Sequence, residues 1–285
     1  MVRSLIPAER HQRIQALLEQ RRVASIAELS ALLAVSEATI RRDLEALEGR
    51  GLLERTHGGA ILTRRLPTEP FYAQSAGVHR GEKQWIGAAA AALVGEGDAV
   101  FINSGTTTTE VMRHLALRPD LRRVTIMTTN VSGTLDARHP ELEILLLGGT
   151  FRPQSNAVVG DAALRTLQQM NADKSFIGVD GFSLKGGLTT PVLAEAEIAR
   201  LMVERTQGAV VVVADSSKWG VVSNFEIAPI DRVQVLVSDD ALPPAAAAGL
   251  TEVGLHVVLA GADLDSSPRR AIPEGDGRED PDGFH

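Results

Sequence analysis

Short apolar segments alternate with helical segments over most of this chain, and no other feature restricts its fold as strongly. From Glu82 onward the apolar segments lie at 99–102, 124–127, 144–147, 175–179, 210–214 and 233–237. Apolar strands that are separated by helices are typical of a parallel sheet covered by helices on both faces. We therefore predict an α/β domain over residues 82–264, built on an open, mostly parallel sheet.

The first 63 residues follow a helical pattern instead. Ser25 and Glu28 have the spacing of a capping box, and Ser36 has the position of a second N-cap. Gly58 and Gly59 permit a tight hairpin. We predict a mainly α-helical, winged helix-turn-helix domain over residues 1–63, with helices at 9–20, 26–33 and 36–50 and strands at 52–55 and 60–62.

Two further segments have the composition of irregular chain. Pro67 and Pro70 interrupt regular structure, so residues 64–81 are predicted to be a linker between the two domains. Residues 265–285 consist mostly of Ser, Pro, Arg, Gly, Asp and Glu. Because such a segment buries too little apolar surface to fold, we predict a disordered tail there.

The charge is distributed unevenly along the chain. Residues 1–65 contain eleven arginines, no lysine and eight acidic residues, although the whole chain has a net charge of −7. A basic module on an acidic body suits DNA binding, since the phosphate backbone attracts one part of the protein and repels the other.

Composition excludes several other classes of function. The chain has no cysteine, which rules out disulfides, thiolate nucleophiles and cysteine-bound zinc, and its seven histidines are scattered. We therefore expect no metal site and no cofactor. No apolar run reaches the ~20 residues that span a bilayer, and the N-terminus lacks a secretory pattern. We expect a cytoplasmic protein with no membrane partner.

The third helix carries the residues that we predict to contact DNA. If Ile40, Leu44 and Leu47 face inward, a small and basic face remains exposed. In this interpretation Arg42 binds a guanine edge, Arg41 binds phosphate, and small side chains contact a thymine methyl group. The alternative is that both arginines only solvate the helix and pair with nearby acids. The predicted DNA-contacting set is Ser36, Ala38, Thr39, Arg41, Arg42 and Glu45 on the helix, with Arg55 and His57 on the wing.

A polar loop between a strand and a helix predicts an anion site. Its residues are Asn103, Ser104, Gly105, Thr106, Thr107 and Thr108. Free backbone N–H groups at a helix N-terminus, together with the helix dipole, bind phosphate, and glycine permits close approach. The alternative is a capped helix start without a ligand. The loop lacks the G-K-[ST] ending of a nucleotide P-loop, so ATP and GTP are not expected.

Further polar residues follow the other predicted strands, and the carboxyl ends of parallel strands meet at one edge of a sheet. We expect the cations there to neutralise phosphate, and the amide and carboxylates to bind sugar hydroxyls. Each of these residues has an alternative role as a surface charge, a cap or an ion-pair partner. The candidates are Lys83, Asn130, Arg152, Asp180, Lys185, either Glu195 or Glu197, and Lys218.

Several motifs together resemble the DeoR family of bacterial regulators. S-E-A-T-I-R-R-D-L-E-A-L and R-T-H-G-G-A resemble its helix-turn-helix, and N-S-G-T-T-T-T, T-T-N-V, L-G-G-T-F-R, G-V-D-G-F and A-D-S-S-K-W-G resemble its sensor domain. The resemblance implies a repressor of sugar or nucleoside catabolism that binds operator DNA as a homodimer or homotetramer. It also implies control by a phosphorylated sugar and a sensor fold similar to ribose 5-phosphate isomerase.

That similarity provides the main alternative, a sugar-phosphate isomerase-like enzyme. An isomerase needs a carboxylate base and a group that polarises a carbonyl. Asp180, Lys185 and Glu197 are candidates for those roles. We favour a regulator that is not an enzyme, because an isomerase has no use for a DNA-binding domain.

Overall fold

The computed structural model describes residues 6–21, 23–50, 52–56, 58–62, 64–66 and 68–262. His57 and the predicted tail at 265–285 lie outside these residues. Among the residues described, no helix combines the length and the apolar character needed to span a membrane.

The N-terminal domain has the predicted three helices and one strand more than predicted. Its sheet has the order β1-β3-β2 with antiparallel pairs, so a segment between the first two helices pairs with the wing. The capping box at Ser25 and Glu28 is present, and the side chain of Ser36 accepts a hydrogen bond from the Thr39 amide. The elements are α1 (Pro7–Arg21), β1 (Val23–Ser25), α2 (Ile26–Leu33), α3 (Glu37–Glu48), β2 (Glu54–Thr56) and β3 (Gly59–Ile61).

A buried ion pair fixes the orientation of α3. Arg10 on α1 donates to Asp43 on α3, with Nη2 at 2.8 Å from Oδ1, and His11 lies 3.0 Å from the same oxygen. Burial opposes ionisation of Asp43, but the hydrogen bonds and charges of Arg10 and His11 outweigh it and hold the pKa of Asp43 below its usual value. Ile40, Leu44 and the other inward residues pack in the same core.

Residues 64–66 and 68–262 form an α/β domain of strands and helices. They are β4 (Arg64–Leu66), α4 (Tyr72–Gly77), α5 (Arg80–Ala91), β5 (Ala99–Ile102), α6 (Thr106–Ala116), β6 (Val124–Thr128), α7 (Val131–Asp136), β7 (Leu142–Leu146), β8 (Thr150–Arg152), β9 (Ala157–Val159), α8 (Asp161–Leu167), β10 (Ala172–Gly178), β11 (Gly181–Ser183), β12 (Gly187–Thr190), α9 (Leu193–Glu204), β13 (Thr206–Val213), β14 (Val221–Ser223), β15 (Phe225–Ala228), β16 (Val235–Asp239), α10 (Pro244–Glu252) and β17 (His256–Ala260). Short 3₁₀ turns lie at Ser216–Lys218 and Ile230–Arg232.

Seven parallel strands form the central sheet within residues 68–262, in the order β17-β16-β13-β10-β5-β6-β7. All six predicted strands are present, and β17 is an edge strand that was not predicted. Neighbouring residues of a strand face opposite layers, so Phe101 packs in one core and Val100 with Ile102 in the other. Two smaller antiparallel sheets, β11-β12-β15 and β8-β9, lie beside it and were also not predicted.

The predicted linker at 64–81 is largely regular, so the expectation of irregular chain is wrong. β4 pairs in parallel with β14, and α4 contacts α6. The prolines did not prevent this because Pro70 precedes α4 and strand pairing is complete at Leu66. The segment is therefore packed on the α/β domain.

The Arg10–Asp43 pair gives a test of how α3 is held. Asp43→Asn leaves a buried guanidinium without its counter-charge, so we expect a loss of about 3 kcal/mol in the free energy of unfolding of the N-terminal domain. Glu37→Gln, which breaks the exposed pair of Glu37 with Arg41 on the same helix, should cost about 0.5 kcal/mol or less.

Urea unfolding of the full chain measures both variants. Circular dichroism follows the helices, while the fluorescence of Trp85 and Trp219 follows the α/β domain alone. Because the pKa of Asp43 is lowered, its contribution is complete above the usual pKa of aspartate and is lost as the pH falls through the lower value. Equal stability of the two variants at neutral pH would contradict this role for Asp43.

Candidate functional site

A pocket opens at the carboxyl ends of β5 and β10, beside the first turn of α6. Open parallel sheets bind ligands at this edge. The lining combines the predicted loop with residues from several distant parts of the chain. It consists of Glu69, Pro70, Tyr72, Ser75, Lys83, Asn103, Ser104, Gly105, Thr106, Thr107, Ser155, Gly178, Val179, Asp180, Thr190, Glu195, Lys218 and Ile227.

The start of α6 supplies backbone donors to this pocket. Gly105 is the N-cap with a φ of 149°, a conformation that favours glycine, and it turns the chain sharply from β5 into the helix. The first intrahelical hydrogen bond runs from the Thr109 amide to the Gly105 carbonyl. The amides of Thr106 and Thr107 therefore precede the helical hydrogen-bond ladder, and the positive end of the helix dipole lies beside them.

Thr108 and Asn130 are buried behind the loop, which they support, and they are not part of the pocket lining. The Thr108 hydroxyl donates to the Gly105 carbonyl at 3.0 Å. The Asn130 amide donates to the same carbonyl and to the hydroxyls of Thr108 and Thr109. Their hydrogen-bonding groups are thus used within the protein, which corrects the expectation that both side chains face a ligand.

Asn103 joins the two strands that border the pocket. Its amide nitrogen donates to the Gly178 carbonyl at 2.9 Å, and its amide oxygen accepts from the Gly178 amide at 2.8 Å. A side chain with both donor and acceptor is needed to complete this pair of bonds. Asn103 therefore fixes the edge of the sheet from which the loop projects.

Two lysines line the pocket. Lys83 on α5 is almost fully buried, and its Nζ donates to the carbonyls of Ser75 and Val78 at 2.5 and 2.7 Å. Burial lowers the pKa of Lys83, and the negative charge of Asp215 opposes this shift. Lys218 approaches from the turn after β13, at the end of the 3₁₀ turn that Asp215 caps.

Arg152 and Lys185 lie elsewhere than predicted. Arg152 is behind the lining, where it pairs with Glu69 and Glu195. Lys185 has an exposed side chain, and its backbone amide donates to Glu54 of the N-terminal domain at 2.7 Å. The β11–β12 turn carries Lys185 away from the strand ends, so the expectation that it faces the pocket is corrected.

Three carboxylates, those of Asp180, Glu195 and Glu69, also line the pocket. Burial raises the pKa of Asp180 despite the charge of Lys218, and the Thr190 hydroxyl donates to Asp180 at 2.9 Å. Burial likewise raises the pKa of Glu195, against hydrogen bonding from Ser155 and the charge of Arg152. Glu69 completes this group and was not predicted. The pocket thus combines backbone donors and two cations with carboxylate acceptors.

The predicted DNA-contacting face is open to solvent. Ala38, Arg42 and Glu45 are exposed on one side of α3, and Arg41 is exposed while pairing with Glu37 at 3.1 Å. Ser36 and Thr39 share a hydrogen bond at the N-cap. Arg55 on the wing is half-buried, and its backbone amide donates to Glu48.

Two family models match the chain. The model described as the DeoR-like helix-turn-helix domain matches residues 10–65, and the one described as the DeoR C-terminal sensor domain matches residues 78–240. Both matches agree with the two domains of the structure.

Curated relatives are similar over nearly their whole length. The HTH-type transcriptional regulator GlpR of Haloferax volcanii is 35% identical over 254 residues, which are 89% of this chain and 98% of the relative. The putative aga operon transcriptional repressor of Escherichia coli O157:H7 is 33% identical over 256 residues, which are 89% and 94% of the two chains. Ribose 5-phosphate isomerase A from Methanocaldococcus jannaschii is a distant structural neighbour. Its TM-score is 0.37 at 18% identity, with 50% of this chain and 55% of the neighbour covered.

The raised pKa of Asp180 predicts that this carboxylate costs stability. Folded protein holds the proton of Asp180 more tightly than unfolded protein does, so stability is lost as the pH rises from the usual pKa of aspartate through the raised value. Asp180→Asn removes this loss, and we expect a gain on the order of 1 kcal/mol at pH 7.

Urea unfolding followed by tryptophan fluorescence measures the gain, with the exposed Asp240→Asn as the matched control. The gain should shrink toward zero at a pH below the usual pKa of aspartate, because Asp180 is then protonated in both states. A loss of stability in Asp180→Asn at pH 7 would show that the ionised carboxylate is well satisfied in the fold.

Proposed function

We propose, since this chain belongs to the DeoR family of transcriptional regulators, that a phosphorylated sugar in the pocket controls its binding to operator DNA. In this proposal the protein represses a sugar or nucleoside catabolic operon, and the phosphorylated metabolite releases it from DNA. It acts in the cytoplasm, where the operator is, and as a homodimer or homotetramer whose symmetry matches a palindromic site.

One observation carries the choice of ligand. The open first turn of α6, with Gly105, Thr106 and Thr107, lies in the same pocket as Lys83 and Lys218. Backbone N–H groups, a helix dipole and two cations are the features that bind a phosphate. The carboxylates of Asp180, Glu195 and Glu69 provide acceptors for the hydroxyl groups of a sugar, and they disfavour a ligand that is anionic at both ends.

The exposed face of α3 supports the DNA-binding half of the proposal. Arg42 and Ala38 are both exposed to solvent on α3. The neighbouring Asp43 is buried and holds the helix through its ion pair with Arg10. A helix with small side chains around an arginine enters the major groove, where arginine binds guanine with two hydrogen bonds. The names of the relatives, which are transcriptional regulators and repressors, agree with this assignment.

The isomerase alternative receives less support from the arrangement of groups. Lys185, the candidate for polarising a carbonyl, lies at the contact with the N-terminal domain, and Glu197 is not part of the lining. We propose that the protein is not an enzyme. Incubation with pentose and hexose phosphates tests this, because turnover of about 1 per second or faster would establish an isomerase.

The DNA-binding role of Arg42 is testable by substitution. We expect Arg42→Ala to weaken specific binding by about 1 to 3 kcal/mol, because two hydrogen bonds to a guanine are lost. Gel shifts measure it with a duplex that the full-length chain enriches from a random library. Arg165→Ala, an exposed arginine on α8, should bind like the wild type. Wild-type affinity in both Arg42→Ala and Arg41→Ala would remove α3 as the recognition helix.

The phosphate of the ligand is expected to dominate its recognition. A phosphorylated sugar should bind and its unphosphorylated parent should not, because each charge-assisted hydrogen bond contributes about 1.5 to 3 kcal/mol. Calorimetry on a panel of pentose and hexose monophosphates and their parent sugars makes the comparison.

Substitutions in the loop extend that test. Thr106→Ala with Thr107→Ala should weaken binding of the phosphorylated sugar, whereas Thr166→Ala, an exposed helix threonine on α8, should not. Equal binding of phosphorylated and parent sugars would contradict a phosphate site at α6. An unchanged affinity after loss of the two loop threonines would show that their hydroxyls do not contact the phosphate.

A further inference from the structure

Part of the pocket wall is built by the chain that connects the two domains. We call residues 64–79, apart from the undescribed residue 67, the connecting segment; it contains β4 and α4. Glu69, Pro70, Tyr72 and Ser75 of this segment line the pocket. A ligand that fills the pocket therefore contacts the same stretch of chain that leads directly into the wing of the DNA-binding domain.

The connecting segment is hydrogen-bonded to the anion-binding helix. The hydroxyl of Tyr72 lies 2.8 Å from the hydroxyl of Thr109 in the first turns of α6. Thr109 in turn donates to the carbonyl of Gly105, the N-cap of the helix. The Tyr72 amide also donates to the Gln154 carbonyl at 2.8 Å. One tyrosine thus joins the segment to the turn that presents the free amides.

An ion pair also holds the segment, through Glu69. Arg152 binds both carboxylate oxygens of Glu69, with Nη2 at 2.7 Å from Oε2, and it also pairs with Glu195 of α9. Most of the Glu69 side chain is shielded from solvent. Because Glu69 and Glu195 both face the pocket, a ligand that hydrogen-bonds to either of them changes the charge balance around Arg152.

The beginning of the segment is tied to the pocket by a second route. The Arg64 amide donates to the Gly220 carbonyl at 2.9 Å, and β4 continues alongside β14. Gly220 follows the pocket residue Lys218 by two positions and has a φ of +70°. A methyl group on Gly220 would lie 2.8 Å from Cγ1 of Ile61, a wing residue buried in the core of the α/β domain. Displacement of this turn therefore acts directly on the wing.

From these contacts we infer that the connecting segment transmits occupancy of the pocket to the DNA-binding domain, with Tyr72 and Glu69 as the positioning residues. The inference rests on the proposed function and names how that site regulates DNA binding. An anion at the first turn of α6 changes the position of Thr109 and Tyr72, and hydroxyls at the carboxylates change the Glu69–Arg152 pair. The segment then holds the wing differently, so the ligand binds the two states of the protein with different affinity.

Tyr72 offers a direct probe, since it is the only tyrosine of the chain. Full-length protein labelled with 3-fluorotyrosine gives a single fluorine resonance. We expect inorganic phosphate to shift this resonance, and the library-enriched duplex to shift it to a different position. Competition between phosphate and duplex should move the resonance between those two positions.

Substitution tests whether the segment carries the coupling. In wild-type protein, saturating pentose or hexose monophosphate should change the affinity for the duplex by about 5- to 150-fold. Tyr72→Phe and Glu69→Gln should each reduce that factor severalfold, because each removes one contact and keeps the shape of the side chain. Glu96→Gln, which breaks an exposed ion pair with Arg123, is the matched control and should retain the full factor.

A second pair of variants distinguishes a loss of coupling from a general loss of folding. Gly220→Ala and Gly97→Ala both place a methyl group at a positive φ, but only the first meets Ile61, whereas Gly97 faces open space. We expect Gly220→Ala to reduce the coupling factor while calorimetry still detects binding of the sugar phosphate, and Gly97→Ala to retain the coupling factor.

The outcomes separate this inference from the proposed function. If wild-type protein binds none of the monophosphates and the fluorine resonance ignores phosphate, the proposed function fails. If phosphate shifts the resonance but the duplex does not, and Tyr72→Phe and Glu69→Gln keep the wild-type coupling factor, the segment is only a wall of the pocket. In that case the transmission is overturned and the proposed function remains.

Discussion

The free backbone amides at the start of α6 are the constraint on which the rest of the structure depends. They exist because Gly105 turns the chain sharply between β5 and the helix, and the parallel sheet places that turn at its carboxyl edge. Asn103 joins the turn to β10 through Gly178, and Asn130 supports the turn through the carbonyl of Gly105. The helix dipole and the two lysines then attract an anion to this edge. The connecting segment forms part of the pocket wall there.

The ionisable groups at this edge carry an energetic cost. Lys83 is buried and Asp180 and Glu195 are partly buried, and desolvation shifts the pKa of each in the direction of its neutral form. Replacing such groups with well-packed apolar side chains is often neutral or stabilising. Their arrangement around one opening agrees with the polar ligand that we propose, which would form further hydrogen bonds with them.

Much of the fold was predictable because its signals are local. Apolar strands, the cap at Ser36 and the threonine loop each occupy a short stretch of sequence, and all are found where they were predicted. Glu69 and Tyr72 were missed because only tertiary folding brings them to their partners. Tyr72 meets Thr109 of α6, 37 positions away in the sequence, and Glu69 meets Arg152, 83 positions away. Lys185 was placed wrongly for a related reason, since the β11–β12 turn directs it toward Glu54. Prolines suggested an irregular linker, whereas strand pairing and helix packing give that segment its structure.

We propose that a phosphate at α6 changes the state of the DNA-binding domain. Hydrogen–deuterium exchange of the full chain, with and without a bound sugar monophosphate, tests it most directly because every backbone amide reports separately. We expect slower exchange in residues 103–109 on binding, together with altered exchange in residues 68–77 and in the wing strands β2 and β3. Protection confined to residues 103–109, with the connecting segment and the wing unchanged, would contradict it.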